Sequence, residues 1–90
     1  MPNIRSSEKR MRQSEKQRRI NKARRSDIKT TIKKLEHAIE ENVPEEQART
    51  LLAQIAAKLS RAKSKGVIHR NTASRKLSRL TKWVNQAYQQ

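Results

Sequence analysis

The ninety residues contain no cysteine, no phenylalanine and a single glycine, Gly66; Trp83 and Tyr88 are the whole aromatic complement. Without thiols there is neither a disulfide framework nor a thiolate metal site, a composition suited to a reducing compartment. One glycine excludes a glycine-rich phosphate loop. No apolar run reaches ten residues, which excludes the core of a signal peptide and a membrane-spanning helix. The expected location is therefore cytoplasmic, with no membrane partner. Acid is scarce as well, and residues 58–90 hold no carboxylate at all. The acids of the middle of the chain read as solvated helix surface or caps, and the two histidines lie in different segments. His37 reads as a helix-surface residue. His69 sits in a basic cluster with no carboxylate nearby to orient it as a base or ligand. No enzymatic activity, metal, cofactor or small-molecule substrate is expected.

What is present is positive charge. Lys and Arg number 23 against 8 Asp and Glu, a formal net charge of +15, with an isoelectric point near 11.4. A chain that repels itself this strongly gains most from an anionic partner that releases counterions. The charge is blocked: residues 1–25 hold ten basic and two acidic side chains, residues 26–57 four and six, and residues 58–90 nine and none. A chain basic at both ends and acidic between them has one face for the partner and one turned away. With hydrophobic residues at 32%, the core of this one small domain is thin, and marginal stability without a partner follows.

Periodicity places three helices. The first is expected to begin at Ser6 or Ser7, either of which can cap, with Glu8 in its first turn. Nothing breaks it before Asn42-Val43-Pro44. At about 100° per residue, Arg5, Lys9, Arg12, Lys16 and Arg19 share one sector, while Arg10, Arg18, Lys22, Arg24 and Arg25 spread around the rest. Beyond residue 25 the pattern changes, and Ile28, Ile32, Leu35 and Ile39 form one apolar stripe. Pro44 suits the first position of a second helix, with Glu45 and Glu46 in its first turn. Ala48, Leu51, Leu52, Ile55, Ala56, Leu59 and Ala62 supply that helix's apolar face. Lys58, Arg61, Lys63 and Lys65 suit its C-terminus, and Gly66 a left-handed cap, with Val67 or Ile68 folding back on the last turn. A third helix is expected from Asn71 or Thr72, with Ala73, Leu77, Leu80, Val84 and Ala87 on one face and Trp83 and Tyr88 closing the end of the bundle. Short connections make neighbouring helices antiparallel. The expected fold is all-α, an antiparallel three-helix bundle with a long, protruding N-terminal helix.

Length then becomes informative. A helix over residues 7–41 spans about 50 Å and one over 45–64 about 30 Å, so about 20 Å of the first helix outruns its neighbour. The uncovered part is the basic part. The single domain thus divides into a basic helical extension, residues 1–25, and a bundle, residues 26–90. The second helix runs back from Pro44 and returns the turn at Lys65–Asn71 toward the basic half of the first, so two basic patches distant in sequence meet.

The opening Asn3-Ile4-Arg5-Ser6 leading to Lys9-Arg10, then Ser14-Glu15-Lys16, Arg18-Arg19, Asn21 and Arg24-Arg25, together with Lys65-Gly66-Val67-Ile68-His69-Arg70-Asn71, Ala73, Arg75, Lys76 and Arg79-Leu80, resemble the family of protein twenty of the bacterial small ribosomal subunit. The resemblance covers nearly the whole chain; the block from Glu40 to Glu46 departs from it. It implies a three-helix bundle that binds the 16S ribosomal RNA of the small subunit directly and inserts its first helix among RNA helices. The RNA-binding set expected in the extension is Asn3, Arg5, Ser6, Lys9, Arg10, Arg12, Gln13, Ser14, Lys16, Gln17, Arg18, Arg19, Asn21, Lys22, Arg24 and Arg25. Lys29 joins them from the bundle, and Lys65, His69, Arg70, Asn71, Thr72, Arg75, Lys76 and Arg79 from the second basic region. With aromatics nearly absent from these regions, recognition should be of RNA shape rather than of splayed bases.

Two rivals compete. A basic helix running into an apolar repeat also describes a DNA-binding dimer of the zipper or helix-loop-helix type, but the repeat lasts under two heptads before Val43-Pro44, and a zipper needs three or four. A free protein of the ribosomal type should be a monomer, which separates the two. A cationic membrane-active protein would need a wide apolar face, and the most basic stretch offers only Ile4, Met11 and Ile20.

Overall fold

The computed structural model describes residues 3–89, Asn3 by its backbone alone. Three helices follow one another, α1 (Asn3–Glu40), α2 (Glu45–Ser64) and α3 (Arg70–Ala87), with no strand among the described residues. The fold is the expected three-helix bundle with a long first helix, and α2 is its hub, packing against both α1 and α3, which touch each other far less. The molecule measures 70 × 23 × 14 Å with a radius of gyration of 17.9 Å, against about 12 Å for a compact chain of this length. The excess is the projecting end of α1.

α1 starts earlier than the serines suggest. Ser6 and Ser7 lie inside the helix, neither caps it, and no acid occupies its first turn, so Glu8 instead reaches forward to Arg12 at 3.9 Å. The physical reason is that an exposed serine costs a helix only a few tenths of a kcal/mol, and nothing from residue 3 to residue 40 is a glycine or proline to halt it.

Both connections close in the same way. The Val43 N–H donates to the Ala38 carbonyl at 3.1 Å and the Asn42 N–H to Ile39 at 3.1 Å, with Asn42 at φ +55°. At the second turn the Val67 N–H donates to Ala62 at 2.9 Å and the Gly66 N–H to Lys63 at 3.1 Å, with Gly66 at φ +72°. Each is a Schellman turn, which satisfies carbonyls that the helix end would otherwise leave open. The residue after the left-handed position folds inward: Val67 is buried, as expected, while Ile68 is half-buried. Pro44 stands one position earlier than expected, in the cap of α2 rather than its first turn, with ψ 143°.

Leu35, Ile55 and Val84 are 0% exposed and, with Ile28, Ala48, Leu59, Ala62, Val67 and Ala73, form one contiguous core. The buried line of α1 is Ile28, Thr31, Leu35 and Ala38, while Ile32 and Ile39 lie partly buried beside it. Thr31 can be buried because its hydroxyl donates to the Asp27 carbonyl at 2.9 Å and accepts from Lys58 Nζ at 2.8 Å. Lys58 Nζ also bonds Asp27 Oδ1 at 2.9 Å, so one ammonium ties α2 to two turns of α1. At the other end the Tyr88 hydroxyl donates to the Val43 carbonyl at 2.7 Å, locking the end of α3 onto the first turn. Trp83 is half-buried and lies outside the core cluster, and Ala87 is exposed rather than on the buried face.

Candidate nucleic-acid interface

Every residue from Ile4 to Ile20 is exposed. The first signs of cover are the half-buried Asn21 and Arg24, and the first buried residue is Ile28. Residues 3–20 therefore project about 27 Å beyond the bundle. Arg5, Lys9, Arg12 and Lys16 share one flank of this arm with Gln13. Ser14, Gln17, Arg18, Asn21 and Arg25 share another. At about 100° per residue the two flanks are nearly opposite, and Arg10, Arg19 and Lys22 are exposed as well. Gln17 Nε2 donates to Asn21 Oδ1 at 3.2 Å, and Glu15 bridges Arg19 at 3.8 Å, so the two arm acids each hold one arginine and leave the rest unneutralised.

The line that buries Ile28, Thr31 and Leu35 lower down continues up the arm, at helical spacing, as Arg24, Gln17, Gln13, Arg10 and Ser6. The register is kept and the chemistry is exchanged.

At the base of the arm the two basic patches meet as expected. Arg25 and Lys29 from α1 face His69, Thr72 and Lys76 from the second turn and α3 across a groove floored by Ile28, Val67 and Ile68. His69 also caps α3, in the place expected of Asn71 or Thr72: its Nδ1 accepts from the Asn71 N–H at 3.1 Å. Ring and helix thus fix each other, and the imidazole is held over the groove. Lys65, Arg70, Asn71, Arg75 and Arg79 are exposed, but none of the five lines the groove. Arg75 and Arg79 lie on the side of α3 away from its buried residues Ala73 and Val84.

Two functional candidates, Lys63 and Arg61, were missing from the expected set. Lys63 flanks Gly66, Ile68, His69 and Arg70 on the outer side of the turn. Arg61 shares a small cavity with Arg24 under the overhang. Arg24 itself is half-buried, and its Nη1 is the one buried side-chain polar atom among the described residues with no hydrogen-bond partner. Leaving such a donor unpaired costs about 1–3 kcal/mol. Lys63 and Arg61 sit in the last turns of α2, where cations also complement the helix dipole; only the packing of α2 along α1 shows that Arg61 lies beside Arg24 at the arm's base. The charge at the far end is of opposite sign: Glu40, Glu41, Glu45 and Glu46 are all exposed around the first turn.

No helix of the described residues is long and apolar enough to cross a membrane. The apolar face of α1 from Ile28 to Ala38 packs on α2.

The sequence is similar to that of known chains. The family pattern of ribosomal protein S20 matches residues 2–85. The small ribosomal subunit protein bS20 of Carboxydothermus hydrogenoformans is 50% identical over 86 residues, covering 96% of this chain and 91% of that one. The bS20 proteins of Desulfotalea psychrophila and Nitratidesulfovibrio vulgaris are 46% and 49% identical, over 94% and 96% of this chain and 94% and 98% of theirs. These relatives are ribosomal proteins rather than enzymes. With a match along nearly its full length, and with the exposed basic arm and cationic groove that this match spans, the chain belongs to the ribosomal protein S20 family.

Proposed function

We propose that the chain is a structural constituent of the small ribosomal subunit that binds 16S ribosomal RNA directly, as a monomer before assembly, and holds RNA helices together through its arm. One observation carries this reading: seven Lys and Arg lie among residues 4–20, all exposed and beyond the reach of any protein cover. Phosphates are the counter-charge that such a rod lacks. Residues 1–25 act as the RNA-inserted extension and residues 26–90 as the bundle that aims it. Arginine and lysine on opposite flanks bridge backbones that would otherwise repel, and Ser6, Ser14, Asn21 and Asn71 supply short hydrogen bonds to phosphate or 2′-OH. Recognition is by shape and backbone, since the arm carries no aromatic to stack on a splayed base. The acidic first turn faces away from the RNA.

Charge reversal tests it. Arg12→Glu, Lys16→Glu and Arg19→Glu together should weaken binding to 16S RNA by roughly 100-fold or more and lower the salt slope by about 2–3. Reversal of Glu40, Glu41 and Glu45 should do neither. Equal losses from both triples, read by filter binding across a salt series, would defeat the assignment of faces.

A further inference from the structure

Resting on that RNA-binding reading, we propose that Arg24 and Arg61 form a clamp for one RNA backbone phosphate on the α2 side of the arm's base, separate from the groove between α1 and α3. The two guanidinium groups come from different helices and line one cavity with Asp27, Ile28, Lys58 and Ala62. The single acid there is already taken: Asp27 Oδ1 holds Lys58 Nζ at 2.9 Å, and that ammonium also reaches Thr31. Neither arginine has an ion-pair partner among the described residues.

Arg24 adds the decisive feature, a buried Nη1 that nothing bonds. The planar fork of a guanidinium matches two oxygens of one phosphate, which a lysine cannot reproduce. The C-terminus of α2 would ordinarily disfavour an anion nearby. Here the carbonyls of Arg61, Ala62 and Lys63 accept from the Lys65, Val67 and Gly66 N–H groups at 3.0, 2.9 and 3.1 Å, so that end is capped. Arg24 and Arg25 are consecutive, and consecutive helical residues point about 100° apart. One serves the α2 side and the other the groove toward α3, so RNA backbone runs on both sides of the arm's root.

Phosphate-ethylation interference on 16S RNA, with the full-length chain and its variants, tests the clamp. Among the phosphates whose ethylation blocks wild-type binding, one should cease to matter in Arg24→Met, and the same one in Arg61→Gln. Each variant should bind about tenfold more weakly, and the double variant by much less than the product of the two, as partners on one group do. Arg24→Lys keeps the charge but not the fork, and should lose that same phosphate. Met retains the stem's packing against Ile28; should it nevertheless unfold the chain by circular dichroism, Arg24→Lys carries the test. Unchanged interference in both single variants, or loss of two different phosphates, overturns the clamp while leaving RNA binding intact. A wild-type chain that binds no 16S RNA overturns the broader reading and the clamp with it.

Discussion

Residues 4–20 and residues 28–40 belong to one uninterrupted helix, yet they answer to different surroundings. The lower half buries Ile28, Thr31, Leu35 and Ala38 against α2, whereas on the upper half nothing is covered and Ile4 and Met11 stand 61% and 65% exposed. Helical propensity does not separate them, since both are free of glycine and proline. The difference lies in what completes each half. Packing stabilises the lower one, and the upper one has only intrahelical hydrogen bonds and two exposed ion pairs worth a few tenths of a kcal/mol each. Packing and exposed positive charge are thereby placed at different ends of a single element.

A proline placed in each half breaks this contrast most forcefully. Lys34→Pro removes a helix hydrogen bond and drives a ring into the preceding turn opposite α2, which costs about 3 kcal/mol or more and should abolish the cooperative melt. Gln17→Pro should leave the melting temperature of the bundle nearly unchanged while cutting RNA affinity at least about tenfold, because the outer arm loses its aim. Similar melts for the two variants would show that the halves are one cooperative unit. A milder pair sharpens the same point. Leu35→Ala should lower stability by about 2–5 kcal/mol, a fall of more than about 10 °C for a domain this small, whereas Met11→Ala should stay within about 0.5 kcal/mol. A smaller effect than that of Leu35→Ala belongs to the turn that presents the groove. A Cβ on Gly66 would meet nothing within 4 Å, so Gly66→Ala carries only the left-handed backbone penalty of about 1–2 kcal/mol. Asn42→Gly, at the equivalent place in the other turn, should change stability by less than about 1 kcal/mol. Chemical denaturation resolves both.

The helices themselves were legible because their signals are local: one apolar stripe each, a proline before α2 and a glycine after it. Ser6 and Ser7 misled because a capping residue marks a helix start only where something else stops the helix. His69 was passed over as a cap because its acceptor is a ring nitrogen rather than the short side-chain oxygen expected there. Thr31 and Ala38 were missing from the anticipated core, since a threonine is buried only when its hydroxyl is satisfied, and Lys58 does that from 27 residues away. For the interface, the arm and the meeting of Arg25 and Lys29 with His69 and Lys76 followed from length and antiparallel connection alone. Arg61 needed the axial register of α2 along α1, which periodicity does not encode.

Lys58, gripped by Asp27 and Thr31, joins the buried core in holding that register and hence how far the shaft protrudes from its mount. Sliding the pin by one helical turn would lengthen or shorten the reach by about 5.4 Å. The pin thus works as a depth stop, and cations that never touch it depend on it for their distance from the bundle.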